Sequence, residues 1–233
     1  MFGYRLVKNE ILEQCVHRSE QHRMHDFTPL IERVQPLDEI RCVFDVGANI
    51  GQSALKYTRL FPYANIYSFE PFSEAYQILE QTIDNYSRVY PFKIALSNIN
   101  GELDIELNNK HYLNSLNNRT SSTGCTTTER IQLTTLDEFV KHHNISNIDF
   151  IKIDVEGTEL DVLEGSINTI KQKKIKFILC EVGFWRSDKV HTSIADVLNW
   201  FEAYPVHFCG LYECAFPPDK VTNIYFANAL FRM

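Results

Sequence analysis

Short β-branched and aromatic runs alternate along this chain with stretches whose apolar residues recur every three or four positions. That alternation predicts parallel βαβ units. Arg41-Cys42-Val43-Phe44-Asp45-Val46 is an apolar strand ending at Gly47. Residues 52 to 61 follow as a helix, stopped by Pro62, because proline lacks the N–H that the next turn needs. Asn65 to Phe69 is a second strand, closed by Glu70-Pro71. Ser73 is placed to cap a helix over 74 to 85, with Ile78, Leu79 and Ile83 on one face. Val89 to Leu96 reads as one strand, and 129 to 133 as another. Thr135 is the expected cap of the helix that starts Leu136-Asp137-Glu138. Ile148 to Ile153 is a buried strand ending in Asp154, and a single helix is expected over 158 to 171. Lys176 to Cys180 is the next strand, ending in Glu181. A helix over about 193 to 203 and two apolar runs, 206 to 212 and 223 to 231, complete the pattern as a closing strand pair.

Two stretches break this rhythm. Residues 3 to 35 are weakly patterned helix, and Asn108 to Thr128, rich in Asn, Ser and Thr, reads as a hairpin or exposed loop. No internal repeat or linker appears. The expectation is one domain over 1–233, with a helical N-terminal extension at 1–40 and an α/β core at 41–233.

Composition narrows the function classes. The net charge of -7 argues against a nucleic-acid partner, since phosphate binding needs a surplus of Lys and Arg. No apolar run resembles a signal peptide or reaches the length of a membrane span, so no membrane partner is expected. The six cysteines form no CxxC pair, and Cys42 and Cys180 lie in apolar runs as small core residues. That usage fits a reducing cytoplasm better than a disulfide framework or a zinc site. Among the histidines, His142 and His143 are expected to be solvated at a helix end, and His207 to be core. His191 is the one catalytic candidate, against the plainer reading of a helix-start residue before Thr192.

The most informative segment is Asp45-Val46-Gly47-Ala48-Asn49-Ile50-Gly51. A strand ends, two glycines flank a tight turn, and a helix begins. Glycine tolerates positive φ and lets a backbone approach a ligand closely. The GxxxG spacing departs from the GxGxxG of dinucleotide sites, and Asp45 would repel a pyrophosphate while attracting a cation. Glu70 follows 19 residues after Gly51, at the end of the second strand, where a carboxylate can hold both hydroxyls of a ribose. A tight βα turn with no ligand is the plainer alternative.

These residues resemble the S-adenosylmethionine loop and ribose acid of the class I methyltransferases. More narrowly, the set resembles the FkbM family, through Val43 to Gly51, Phe69-Glu70-Pro71, Ala95-Leu96-Ser97, Thr135-Leu136-Asp137 and Ile151 to Gly157. The resemblance runs over roughly residues 41 to 231. It implies a doubly wound, mostly parallel, seven-stranded Rossmann-like sheet with helices on both faces and a C-terminal antiparallel strand. It also implies a cofactor site made of Asp45, Gly47, Ala48, Asn49, Gly51, Glu70, Pro71, Phe72 and Ala95. Within that site Gly47, Ala48 and Gly51 would pack against the cofactor, Asp45 would sit near its methionine end or bridge to it through water, Glu70 would bind the ribose, and Phe72 and Ala95 would lie near the base. A core role for Ala95 is the alternative.

A second acidic cluster closes the fourth strand. Asp154 and Glu156 are alternate residues and would point one way if the strand stayed extended, and Glu181 ends the next strand. In an open α/β sheet the ligand lies beyond the carboxyl ends of the strands. Three readings apply: a helix cap or an ion pair with Lys152, a base or acceptor-orienting group, or a divalent metal on Asp154 and Glu181. Asp154, Glu156 and Glu181 are the catalytic candidates. Metal-free chemistry is expected, because the sequence shows no third ligand. Phe184 and Trp185 are candidates for an apolar wall beside the acceptor.

The resulting expectation is methyl transfer from S-adenosylmethionine to a hydroxyl of a sugar, glycan or natural product. A nicotinamide-dependent oxidoreductase and a non-catalytic cofactor-binding module are the rival readings. The acceptor and the oligomeric state are not legible.

Overall fold

The computed structural model describes residues 26–107, 128–188, 190–216 and 224–233. The expected loop at 108–128, apart from Thr128, and most of the N-terminal extension, with His17, His22 and His25, lie outside the described residues. Of that extension the structure describes a short helix α1 (Thr28–Glu32) and a 3-10 turn at Leu37–Glu39.

Seven strands form the main sheet: β1 (Cys42–Val46), β2 (Asn65–Phe69), β3 (Val89–Phe92), β7 (Ile148–Ile153), β8 (Ile175–Gly183), β9 (His207–Ala215) and β10 (Phe226–Arg232). Their spatial order is β3-β2-β1-β7-β8-β10-β9. β1 lies parallel to both β2 and β7, and only β10 runs antiparallel, inserted between β8 and β9. The strand order therefore reverses beside β1, between β2 and β7, and the carboxyl ends meeting there form the crevice that open α/β sheets use for ligands. This is the doubly wound, seven-stranded architecture expected.

The layers follow from strand alternation. Phe44, Val46, Ile151, Ile153, Cys180 and Val182 point into one apolar cluster, packed under α4 (Leu136–His142), α5 (Glu159–Glu164), α6 (Ile167–Lys171) and α7 (Ile194–Phe201). Val43, Phe150, Phe177, Leu179 and Leu230 point into the other, with Phe27, Tyr57 and Phe61 from α1 and the region of α2 (Gln52–Leu60), and Leu79 and Ile83 from α3 (Ser73–Ile83). By the same alternation Asp45, Lys152 and Glu181 occupy the second face, at the strand ends, where the apolar layer stops.

Several expectations are corrected. Val89 to Leu96 is not one strand: β3 ends at Phe92, and Ala95–Leu96 (β4) leaves for a second sheet of order β4-β6-β5 with β5 (Gly101–Glu106) and β6 (Thr128–Thr134). The helix expected over 158 to 171 breaks after Glu164. Gly165 there packs so tightly that an added Cβ would lie 2.0 Å from the Ser97 carbonyl oxygen. Ser73 caps nothing with its side chain; its N–H donates instead to Glu129 of β6, at 2.9 Å. Thr135 does cap α4, accepting the Glu138 N–H at 3.1 Å. His207 is exposed rather than core, because it begins β9 at the sheet edge. Among the described residues no helix is long and apolar enough to cross a membrane.

Candidate active site

The turn after β1 is held by backbone bonds at both ends. The N–H groups of Gly47 and Ala48 donate to the Phe69 carbonyl at 3.1 and 2.9 Å, fastening the turn to the end of β2. Gly47 has φ +81°, and a Cβ there would fall 1.7 Å from the Asp154 carbonyl oxygen. A Cβ at Gly47 would therefore collide with the backbone at the end of β7, which packs directly beneath the turn. Gly51, at φ +99°, begins α2 and brings it against Thr82 and Leu79 of α3. Asn49 also takes positive φ, +49°, and so aims its N–H at Glu70.

Glu70 is held from two sides. One carboxylate oxygen accepts the Asn49 N–H and the other the Phe72 N–H, each at 3.0 Å. Burial pushes its carboxyl up to about 7, although both N–H bonds favour the ionised form. Each oxygen retains a second lone pair, so the group is oriented but not saturated. Pro71 is half-buried beside it. Phe72 and Ala95 are buried with Ile105, Ile131 and Leu133 in the apolar cluster of the small sheet. That packing accounts for Ala95 without a ligand.

Asp45 is fully buried. Its Oδ2 accepts the Ser53 hydroxyl at 2.7 Å, while Oδ1 has no hydrogen-bond partner among the described residues. Burial raises its carboxyl, with Lys152 opposing. Lys152 Nζ lies 2.8 Å from Asp154 Oδ2. Burial works against the Lys152 ammonium, but Asp154 and Asp45 outweigh it and raise its pKa. Asp154 in turn is held below the ordinary carboxylate value: burial opposes this, and Lys152 with a hydrogen bond from Glu181 overcomes it. Glu181, 8% exposed, is pushed well up by burial and by Asp154.

The chain does not stay extended beyond Ile153. Glu156 sits at φ +55° and Gly157 at +98°, so the alternation expected of Asp154 and Glu156 does not apply. A residue that sequence reasoning missed organises this bend. Glu159, wholly buried, accepts the N–H groups of Val155 and Gly157 at 3.1 Å each and the Thr192 hydroxyl on its other oxygen. The available signal was an acid in the first turn of a helix, just after a glycine. Glu156 is carried by this bend to the edge of the cluster; burial, then Asp154 and Glu159, push its carboxyl up to about 7.

His191 joins the site rather than merely starting a helix. Its Nε2 lies 3.6 Å from Glu181 Oε2, and its Nδ1 lies 2.8 Å from Asp188 Oδ2. Asp188 was missed as well, and its spacing from His191 carries no distinctive signal. Trp185 does not stand free as a wall: its indole N–H donates to the Ile224 carbonyl at 2.9 Å and its ring meets Tyr225 edge-on. Two groups thus face each other across the end of the sheet: the glycine turn with Asp45 and Glu70, and the cluster of Asp154, Glu156, Glu181 and His191.

The same segments recur in known proteins. The Methyltransferase FkbM domain matches residues 45–210. Hexuronic acid methyltransferase AglP of Haloferax volcanii is 28% identical over 155 residues, covering 64% of this chain and 59% of that protein. The match to 2-O-methyltransferase NoeI of Sinorhizobium fredii is 26% identical over 189 residues, 74% of this chain and 75% of that protein. Among solved structures, a METTL16 methyltransferase domain aligns with a TM-score of 0.52 and 13% identity, over 93% of this chain and 65% of that chain. Aeropyrum pernix fibrillarin, solved with S-adenosyl-L-methionine, aligns with a TM-score of 0.50 and 11% identity, over 83% of this chain and 68% of that one. These structural likenesses establish the Rossmann-like fold. The family match runs from Asp45 beneath the glycine turn to Gly210 in β9, across both halves of the site, and this chain belongs to the FkbM methyltransferase family.

Proposed function

We propose that this protein moves a methyl group from S-adenosylmethionine to a hydroxyl oxygen of a sugar, glycan or related small molecule. The observation that carries the reading is the oriented, unsaturated Glu70 at the end of β2, bonded to the N–H of Asn49 in the glycine turn. A second observation fits the cofactor's cationic end: Asp45 keeps a buried oxygen without a hydrogen-bond partner among the described residues. Glu70 would hold the ribose hydroxyls, Asp45 the methionine end, and the turn at Gly47 to Asn49 the atoms between. When bound, the cofactor supplies an activated methyl on a sulfonium.

The acceptor meets that methyl at the ends of β7 and β8. Asp154, ionised and steadied by Lys152, is the carboxylate we place against the acceptor hydroxyl. The bound cofactor would supply the methyl to the acceptor oxygen and take the electron pair of its broken C–S bond on sulfur. The hydroxyl proton passes to the carboxylate. Most of the acceleration in such a displacement comes from alignment of the two reactants. The sugar acceptor is suggested by the relatives, which are named for methylating a hexuronic acid and a 2-oxygen.

Calorimetry tests the cofactor: S-adenosylhomocysteine should bind with micromolar affinity, about 8 kcal/mol, and NAD should not. Tight NAD binding would instead support an oxidoreductase. Product mass after incubation with uronic acids and oligosaccharides tests the transfer; cofactor binding with no methylated product from any acceptor would leave a binding module.

A further inference from the structure

Three side chains from three separate segments bring donor atoms together beside Asp154. They are Glu156 from the bend after β7, Glu181 from the end of β8, and His191 from the segment before α7. One donor atom from each lies within 4.8 Å of the others. We propose that Glu156, Glu181 and His191 form a binding site for one divalent transition-metal ion, of which Mn2+ suits the donors best, and that Asp188 positions the imidazole for it. This inference rests on the methyltransferase reading for its role and on the side-chain geometry alone for its existence.

The histidine is the part that separates this set from an ordinary group of surface acids. Its Nδ1 is engaged by Asp188 at 2.8 Å, which fixes the proton there and leaves the lone pair on Nε2. A ligating histidine is usually oriented this way, by a carboxylate on its far nitrogen. Nε2 then faces Glu181 across 3.6 Å. Two ligands at about 2.1 Å from a common ion span that distance at an angle of roughly 115°. The imidazole side chain is 8% exposed and that of Glu181 10%, so neither is a freely moving surface group. His191 is also clamped by the ring of Phe226, stacked at 4.7 Å.

Charge points the same way. Five carboxylates, those of Asp154, Glu156, Glu181, Asp188 and Glu159, crowd this end of the sheet, and Lys152 is already committed to Asp154. A divalent ion offsets such an excess. The donor chemistry selects among ions. Mg2+ and Ca2+ favour all-oxygen sets. A single imidazole points to a first-row transition ion, and among those ions the two carboxylates favour Mn2+, which prefers oxygen donors. Asp154, one of the two ligands suggested by the sequence, belongs instead to Lys152 and stays available to the acceptor. Glu156, at the edge of the cluster, is only partly buried, so open coordination positions would face the acceptor side. Two adjacent sugar hydroxyls are a suitable chelate for them, which would set the reacting oxygen in place.

The test uses the full chain, stripped with a chelator. Mn2+ is titrated in and the free ion followed by its electron paramagnetic resonance signal. One ion per chain should bind with a micromolar dissociation constant, and excess Mg2+ should not displace it. His191→Ala should weaken binding at least a hundredfold, and Asp188→Asn by about 10- to 100-fold. A pulsed measurement on the wild-type chain should show modulation from a directly bound imidazole nitrogen, which requires no variant to fold. Absence of Mn2+ binding, bound Mn2+ without that modulation, or equal binding by a folded His191→Ala chain would overturn the proposal. S-adenosylhomocysteine should bind the stripped chain normally. If it does not, the methyltransferase reading fails while the metal result stands on its own.

Discussion

Glu70 shows how one side chain links burial, pH and ligand binding. Its carboxyl rises from 4.5 to about 7 in the fold, so the protonated form is favoured there. The sign follows directly: between about 4.5 and 7 the unfolded chain loses this proton while the folded chain keeps it. Stability from this group is full below that window and is lost as the pH climbs through it. In the cofactor-free protein, Glu70→Gln should remove that pH dependence, read as the difference from wild type in urea unfolding at pH 5 and pH 8. Ribose hydroxyls donate to the ionised form, so S-adenosylhomocysteine should bind severalfold tighter at pH 8 than at pH 6. Glu70→Ala should cost about 1.5 to 3 kcal/mol of that affinity, as for a lost bond to a charged group. Calorimetry that finds no loss would remove Glu70 from the site. Asp154→Asn should slow turnover by about a hundredfold with little change in cofactor affinity, since the contacts proposed for the ribose and the glycine turn lie elsewhere. A folded variant with normal turnover would return Asp154 to a structural ion pair. Gly47→Val makes a poor probe of the cofactor, because its first collision is with the Asp154 carbonyl. Its expected effect is a fall in melting temperature, whether or not ligand is present.

At the level of elements, the junctions carry the site, and they are also where sequence patterns lose their grip. The strands β1, β2 and β7 were legible to within a residue, because parallel strands buried on both faces leave unbroken apolar runs. Of the small sheet only β6 was legible; β5 was not, since five of its six residues face solvent and give no clear period. The break between α5 and α6 was hidden because the apolar spacing continues across Gly165. Asp45, Glu70 and Asp154 were legible because each lies at, or just past, the end of a strand where a turn begins. His191 was legible only as a candidate, and Glu159 and Asp188 not at all, because a single acid beside a turn carries no periodic signal of the bonds it makes. Glu159 is the sharpest case: a buried acid whose work is to tie down two N–H groups and one hydroxyl around the bend. Glu159→Ala should destabilise the fold by about 2 to 3 kcal/mol, leaving buried donors unmet. The same substitution should also loosen Glu156 relative to Glu181. Urea unfolding with a normal midpoint would show that the bend holds itself. Asp137 plays a parallel part, accepting the N–H groups of Asn168 and Thr169 at the start of α6, at 2.9 and 2.8 Å. The Thr135-Leu136-Asp137 motif thus joins two helices and does not reach the site.

For the whole molecule, charge shapes the encounter with the donor. The chain carries a formal -7, and the acids at the strand ends add a local negative field. S-adenosylmethionine bears a net positive charge, whereas its demethylated product is neutral overall. Raising ionic strength from 20 to 500 mM should therefore weaken binding of the methyl donor more than that of the product, because salt screens the attraction. Equal salt dependence for the two would locate the acids too far from the sulfonium to matter. The sheet adds a consequence of a different kind. β10, the last strand in the sequence, lies between β8 and β9, bonded to both. A ribosome releases those strands in the order β8, β9, β10, so the first two emerge with no partner for the edges they will later share. Until residues 226 to 232 are free of the exit tunnel, each presents unpaired N–H and C=O groups of the sort that recruit neighbouring chains. The Glu181 end of β8 can settle only once β10 has docked beside it. Newly made copies of this protein are thus most exposed to self-association, and most in need of a chaperone, in the interval between the emergence of β8 and the docking of β10.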